Sequence, residues 1–251
     1  MNATAAAPSA PAVSIVLPVF NEEACIAGVL DELCGVLDTR LGRPYEVLAV
    51  DDGSTDRTPE LLRDAATRHA GIRILRLTPN AGQSAAFCAG FRAARGGIVV
   101  TLDADGQNDP ADIPTVVARL GDDCDCCCGF RAHRKDTASR RWASRLANSI
   151  RNRVLGEEIV DTGCSVKAFK TPLVRSLQPW DGLHRFLASF VAMQGGRIVQ
   201  LPVNHRPRAA GTSKYTNWRR LKKTIRDLRG VCWLKSRTRR FTVAEEPVAR
   251  R

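Results

Sequence analysis

Apolar positions along this chain fall into short β-branched blocks that alternate with blocks spaced three to four apart. "VSIVLPVF" (13–20) is β-branched and ends at a Pro and a loop, the pattern of a buried strand. "NEEACIAGVLDELCGVLD" follows with apolar residues at helical spacing and acids in its first turn. "YEVLAVDDGSTD" (45–56) predicts a second strand running into an acidic, turn-rich loop. "TPELLRDAATRHA" predicts a helix with Thr58 as N-cap and Pro59 behind it. "IRILRLT" predicts a third strand, "GQSAAFCAGFRAA" a helix of small residues, "GIVVTLDAD" a fourth strand and "PADIPTVVARL" another helix. Strands alternating with helices predict an α/β fold, a mostly parallel sheet with helices on both faces. Such sheets bind ligands at the carboxyl ends of their strands. Three of the predicted strands run into "PVFNEE", "VDDGSTD" and "LDADGQ", which should converge on one site.

After residue 130 the alternation loosens. "RRWASRLANSIRNRVL" reads as a basic helix, "RIVQLPVNHRPR" as a strand and loop, and "GTSKYTNWRRLKKTIRDLRGVCWLKSRTRRF" as one or two helices rich in Arg and Lys. No internal repeat is present. "MNATAAAPSAPA" lacks a positive n-region and an apolar stretch, so it reads as a disordered lead rather than a signal peptide. No apolar run approaches the roughly 18 residues a spanning helix needs. A cytoplasmic protein is the expectation.

Charge changes this picture at one end only. The chain has 251 residues, 44% of them hydrophobic, and a net charge of +12. Residues 205–251 hold 15 Lys and Arg against 3 Asp and Glu, so the whole excess lies there and residues 1–204 are neutral. Trp218, Leu221, Ile225, Leu228 and Val231/Cys232 recur at helical spacing within that basic stretch. A basic amphipathic helix flanked by Trp suits an anionic membrane surface. Its alternative is a stripe packed on the domain with the charges left to solvent. "CDCCC" (124–128) lacks the paired spacing of a zinc knuckle. It falls in a predicted strand, where Cys126, Cys127 and Cys128 stand in for small apolar residues.

The chemistry lies in "TLDADGQNDP" (101–110). Asp103 and Asp105 are one residue apart and point the same way in an extended chain. Two like charges side by side call for a cation. Carboxylate and amide oxygens suit Mg²⁺ or Mn²⁺, which commonly bridge to a diphosphate. No P-loop, no G-x-G-x-x-G after the first strand and no G-x-S-x-G is present, which argues against a P-loop NTPase, a Rossmann dehydrogenase and an α/β-hydrolase.

"VSIVLPVFNEE", "VDDGSTDRT" and "LDADGQNDP" resemble, in order and spacing, the GT-A domain of the family 2 inverting glycosyltransferases. "GFRAHRK", "SRLANSI", "DTGCSVKAFK", "HRF" and "NHRPRAAGTSKY" resemble the branch that moves a sugar onto a polyprenyl phosphate, with dolichol-phosphate mannosyltransferases and bacterial undecaprenyl-phosphate glycosyltransferases as members. The likeness spans roughly residues 13–235. It implies a GT-A catalytic domain over 13–212 between a lead at 1–12, membrane-proximal basic helices at 213–240 and a tail at 241–251.

The resemblance also implies site residues. Pro18, Phe20, Glu22, Val50 and Asp52 would line the pocket for base and ribose, Phe20 standing where many relatives carry Tyr. Asp103 and Ala104 would touch nucleotide and sugar, and Asp105 and Gln107 would hold the metal. Arg131 would lie near sugar and phosphates and, with Asp103 and Asp105, belong to the catalytic group. Arg131, Arg145 and Ser149 would grip the lipid's phosphate. Arg208 and Lys214 would close over the donor. Arg140, Arg141, Arg151 and Arg153 read instead as a solvated face. His184 and His205 read first as structural residues. Asp161 either positions the sugar or serves a turn.

The implied partners are a nucleotide-sugar, a polyprenyl phosphate, undecaprenyl phosphate foremost, the anionic inner face of the cell membrane and a separate membrane protein. One rival is a family 2 enzyme acting on a saccharide hydroxyl. That reaction needs a carboxylate base, for which Glu157-Glu158 is the nearest substitute. The other rival, a nucleic-acid binder, rests on charge alone.

Overall fold

The structure is a computed structural model that describes residues 10–132, 138–207 and 217–239, with main chain alone for 138–145 and 217–222. The first nine residues of the expected lead and the expected tail at 241–251 lie outside the described residues. Among the described residues seven strands form one sheet: β1 (Val13–Val19), β2 (Tyr45–Asp51), β3 (Ile72–Arg76), β4 (Ile98–Thr101), β5 (Cys126–Arg131), β6 (Lys167–Lys170) and β7 (Ile198–Val203). Their order is β3-β2-β1-β4-β6-β5-β7. Only β6 runs against its neighbours, so the sheet is mostly parallel as expected.

Period-two burial builds a core on each face. Ile15, Leu17 and Val19 of β1 join one core with Leu30 and Leu33 of α1 (Ile26–Val36), Leu62 of α2 (Thr58–Arg68) and Val116 of α4 (Ile113–Ala118). Val16 of β1 and Leu48 of β2 face the other, with Phe87 and Phe91 of α3 (Gln83–Ala93), Leu155 of α5 (Ala138–Leu155), Val174 of α6 (Thr171–Arg175), Leu187 of α7 (Leu187–Met193) and Val231 of α8 (Asn217–Arg237). The cysteines of "CDCCC" obey the same alternation. Cys124 and Cys127 enter the first core, Cys126 and Cys128 the second, and all four are buried free thiols. Burial pushes the Cys127 thiol up to about 12, which leaves it protonated and inert.

One local expectation needs correcting. α2 starts at Thr58 rather than being capped by it, and Asp56 Oδ1 accepts from the Thr58 N–H at 2.9 Å. The Thr58 hydroxyl is used across the fold instead and accepts from the Glu22 N–H at 2.9 Å.

The strand order places the functional end. From β1 the chain steps outward through β2 and β3, then returns to put β4 on β1's other side. The loops after β1 and β4 therefore diverge and open a crevice at their carboxyl ends. Asn21 locks one wall. At φ 53 it turns its main chain to donate to Ser54 Oγ at 3.0 Å, while its Oδ1 accepts from the Thr55 N–H at 2.8 Å. The loops after β1 and β2 are thereby tied together.

Candidate active site

The acidic turn after β4 forms the floor of the crevice. Gly106, at φ +75, allows the chain to fold back so that the Gln107 N–H donates to Asp105 Oδ1 at 3.1 Å. Buried Asn108 fixes the turn from behind. Its Oδ1 accepts from the Asp103 N–H at 3.1 Å and from Ser165 Oγ at 2.8 Å. Gln83, the first residue of α3, donates to Asp103 Oδ1 at 3.0 Å. Burial pushes the Asp103 carboxyl above its usual range; a Ser165 hydrogen bond opposes this, the Asp105 charge adds to it, and the Lys167 and Arg131 charges oppose it.

Arg131 ends β5 above this turn. Its Nε donates to Asp161 Oδ2 at 2.7 Å and its Nη2 to Oδ1 at 2.9 Å, a bidentate pair almost removed from solvent. Asp161 thus aims Arg131. Gly163 belongs to the same arrangement, because a Cβ there would lie 2.9 Å from Arg131 Nη2.

The other walls contain the remaining candidates. Phe20 is exposed, Pro18 and Glu22 are partly so, and Cys25 Sγ links Glu22 Oε2 to Ala104 O at 3.4 Å each. Val50 is wholly buried in the second core, so its side chain belongs to packing rather than to a pocket wall. Ala104 is likewise buried, in the first core. Asp52 spends its carboxylate on the loop before α3. Oδ1 accepts from the Ala81 N–H and Oδ2 from the Gly82 N–H, each at 2.8 Å, and Oδ2 also from Asn80 Nδ2 at 3.0 Å. Ser149 is exposed on α5. Arg208 and Lys214, and the side chain of Arg145, lie outside the described residues, as do the side chains of Arg140 and Arg141.

Two charged readings change and a third holds. Arg151 is not on a solvated face; it is buried, with Nη2 2.5 Å from Ser189 Oγ and 3.1 Å from Glu157 Oε2, and its guanidinium 5.3 Å from the Phe186 ring centroid. Glu157 gives its Oε2 to the same pair and accepts there from Ser189 Oγ at 3.0 Å, and its side chain is buried, so it is not offered to the cleft as a carboxylate base. Arg153 does face solvent.

Several contributors escaped the sequence. Gln83, Asn108, Ser165 and buried Lys167 all bear on Asp103, yet each reads locally as an ordinary helix, turn or strand residue. His205 lies beside the turn, with Nε2 3.4 Å from Gln107 Nε2, and Arg206 binds Glu32 at 2.8 Å and Asp109 at 2.9 Å. His184, in the short helical turn Leu183–Arg185, is half-buried against the start of α3. Ser84 Oγ lies 2.9 Å from its Nδ1 and accepts from the Gly182 N–H at 3.1 Å.

Among the described residues no group of three His, Cys, Asp or Glu side chains is gathered to hold a metal ion. The donor set still fits a hard divalent cation, for which Asp105 and Gln107 would supply oxygen ligands. Two carboxylates and an amide oxygen share one turn, and the pressure on Asp103 is of the kind such a cation relieves.

The chain matches the description "Glycosyl transferase family 2" over residues 14–177. It is 37% identical over 205 residues to the undecaprenyl-phosphate 4-deoxy-4-formamido-L-arabinose transferase of Edwardsiella ictaluri (strain 93-146), covering 81% of this chain and 62% of that protein. It is 39% identical over 210 residues to the transferase of the same name from Pseudomonas aeruginosa (strain LESB58), covering 83% and 62%. The chain thus spans 62% of the length of these relatives. Among solved structures, glucosyl-3-phosphoglycerate synthase from Mycobacterium tuberculosis, in complex with Mn²⁺, UDP and phosphoglyceric acid, superposes with a TM-score of 0.69 at 21% identity, over 91% of this chain and 80% of that one. That likeness shows the fold, which is of the GT-A type.

Proposed function

The chain belongs to glycosyl transferase family 2, and from that membership we propose that it transfers a sugar from a nucleotide-diphosphate sugar to a polyprenyl phosphate, undecaprenyl phosphate foremost, with inversion at the anomeric carbon. The observation that carries the reading is the convergence of three parallel strand ends on one crevice, with the Asp103–Asp105 turn on its floor and the Arg131–Asp161 pair beside it. The names of the curated relatives support the acceptor class. The Mn²⁺, Mg²⁺ and UDP complexes of the structural neighbour support a divalent ion and a nucleoside diphosphate.

Each residue then has a task. Asp105 and Gln107 would hold Mg²⁺ or Mn²⁺, which supplies charge neutralisation on the leaving diphosphate. Asp103, steadied by Gln83 and Asn108, faces donor nucleotide and sugar. Pro18, Phe20 and Glu22 border the base. Asp52 acts on that pocket through the 80–82 loop it fixes. Arg131, with Arg145 and Ser149 on α5, receives the acceptor phosphate, and Arg208 and Lys214 close over the donor. A phosphate monoester is already anionic at neutral pH, so its oxygen attacks without a general base. The commitment of Glu157 to Arg151 accords with that chemistry. The protein's work is to gather two anions in line, which oriented arginines do well. The acceptor lipid would put this chemistry at the inner face of the cell membrane.

The test is a panel of nucleotide-sugars with Mg²⁺ or Mn²⁺, offered undecaprenyl phosphate or soluble saccharides and scored for radiolabelled lipid. Lipid-linked product that disappears on chelation and in Asp105→Asn is the expected result. Transfer to a saccharide hydroxyl alone, or full turnover by D105N, would overturn the reading.

A further inference from the structure

The first turn of α3 is pinned from three sides. Asp52 holds the loop before it through the Ala81 and Gly82 N–H groups. Gln83 reaches the floor of the crevice and donates to Asp103 Oδ1 at 3.0 Å. Ser84, the next residue, meets the 181–185 segment, where the Gly182 N–H donates to its Oγ at 3.1 Å and His184 Nδ1 lies 2.9 Å from it. Successive helix residues project about 100° apart, so Gln83 and Ser84 serve two different neighbours from one rigid turn. Whatever fixes Ser84 therefore fixes the origin of the Gln83 amide.

The hydrogen-bonding capacity of Ser84 assigns the His184 tautomer. A serine hydroxyl has one hydrogen and two lone pairs. Ser84 is 4% exposed, and its oxygen accepts from the Gly182 N–H, with the His184 N–H also 3.5 Å away. Its own hydrogen is left for Nδ1, so the ring carries its proton on Nε2. Burial, with the Arg185 and Lys167 charges, keeps the ring neutral, and a neutral ring has the lone pair on Nδ1 that this bond needs.

The 181–185 segment is held from its far side as well. Arg185 Nη1 donates to Thr224 Oγ1 at 2.9 Å and its Nη2 to buried Asp227 Oδ2 at 3.3 Å, and Asp181 pairs with Lys223. Gly182, at φ +108, allows this clasp to close, since a Cβ there would lie 2.6 Å from Asp227 Oδ2. The segment is thus wedged between α8 and the start of α3.

We infer that His184 is a positioning residue of the donor site: it holds Ser84 and, through the first turn of α3, keeps the Gln83 amide on Asp103. This deepens the reading above and rests on it for what Asp103 faces. A ring that only filled space would be indifferent to which of its nitrogens is kept.

The experiment compares H184N with H184Q in the full chain, because asparagine puts a polar atom near the place of Nδ1 and glutamine near that of Nε2. H184Q and S84A should each raise the donor KM roughly threefold to tenfold, the range that a lost neutral hydrogen bond supports, with the KM for undecaprenyl phosphate unchanged. H184N should recover most of that loss. S84A/H184Q should be no worse than either single change, because both break one link. Long-range ¹H–¹⁵N spectra of the ring should show the Nε2–H tautomer in the wild type and a mixture in S84A, a signature that lost packing alone does not give. H184Q behaving as wild type while H184N fails would make Nε2 the working atom and overturn the inference. So would losses shared equally by donor and acceptor, or a wild-type ring in the Nδ1–H tautomer. Calorimetry with UDP or GDP and Mn²⁺ separates the inference from the reaction it rests on. Weaker nucleotide binding in H184Q and S84A, with no lipid-linked product from any donor, would keep the positioning role and retire the reaction. Lipid-linked product with donor KM and nucleotide affinity unmoved in both variants would do the opposite.

Discussion

Arg131 and Asp161, 30 residues apart in the chain, form a pair in which two guanidinium donors are committed to one carboxylate. Asp161 therefore acts as a positioning residue. Charge-assisted hydrogen bonds contribute about 1.5–3 kcal/mol each, so Asp161→Asn should lower kcat/KM for the lipid acceptor by roughly tenfold to hundredfold. A raised KM for polyprenyl phosphate with unchanged nucleotide affinity would separate positioning from a general loss of structure; equal losses of both would refute it. His184 makes a second prediction. Burial, then the Arg185 and Lys167 charges, lower its pKa to about 4 against the partial opposition of Asp181, and Lys223 adds to the lowering. The folded state thus binds this proton less readily than the unfolded state. The stability this provides is complete above pH 6.5 and is lost as pH falls from 6.5 towards 4. H184Q should flatten that limb of the stability curve in urea titrations at stepped pH, and an unchanged limb would rule His184 out as its source. Pair partners were the part of the site the sequence hid. Arg151 resembled its exposed neighbour Arg153 because a charge run carries no sign of which member turns inward.

At the scale of elements, each quoted strand segment appears in the sheet, because β-branched runs between turn residues admit few other readings. The end of a helix depends on one or two hydrogen bonds, and there Thr58 misled. The amino ends of the strands carry a cluster that no motif announces. Glu46, 4% exposed, accepts from Ser14 Oγ at 2.6 Å, the Arg95 N–H at 2.6 Å and Arg73 Nη1 at 2.5 Å. Burial alone would raise its carboxyl; the Ser14, Arg95 and Arg73 contacts override it and hold the group below its usual range. Its contribution is therefore present above the ordinary carboxylate pKa and is lost as pH falls through the depressed one. Glu46→Gln should cost about 2 kcal/mol, or roughly 4–8 °C in melting temperature for a domain of this size. Transfer activity per folded molecule should be unchanged, since this cluster lies at the opposite end of the strands. A melting temperature within a degree of wild type would show that the three donors find other partners.

For the whole molecule, a mostly parallel sheet could be expected from the alternation of strands and helices, but the antiparallel β6 between β4 and β5 could not, nor could the place of the basic C-terminal helix, because its stripe suits a protein core and a bilayer equally. α8 belongs to the body. Val231 is 2% exposed, Leu228 and Cys232 lie against the second core, and buried Asp227 accepts from Arg185 Nη2 at 3.3 Å. Arg185 Nη1 also donates to Thr224 Oγ1 at 2.9 Å, holding α8 over the segment that carries His184. Deleting residues 216–251 would thus uncover apolar surface of the second core as well as remove positive charge. A fully buried Val or Leu contributes about 1.5–3 kcal/mol, so losing the α8 contacts should lower stability by several kcal/mol. At about 2–4 °C per kcal/mol, the melting temperature of the truncation should fall by roughly ten degrees or more in calorimetry. The milder V231A should move it part of the way, by a few degrees, without touching the basic residues. If the truncation melts with the wild type, α8 is an appendage held by charge alone, and the basic end of the chain has no part in supporting the cleft.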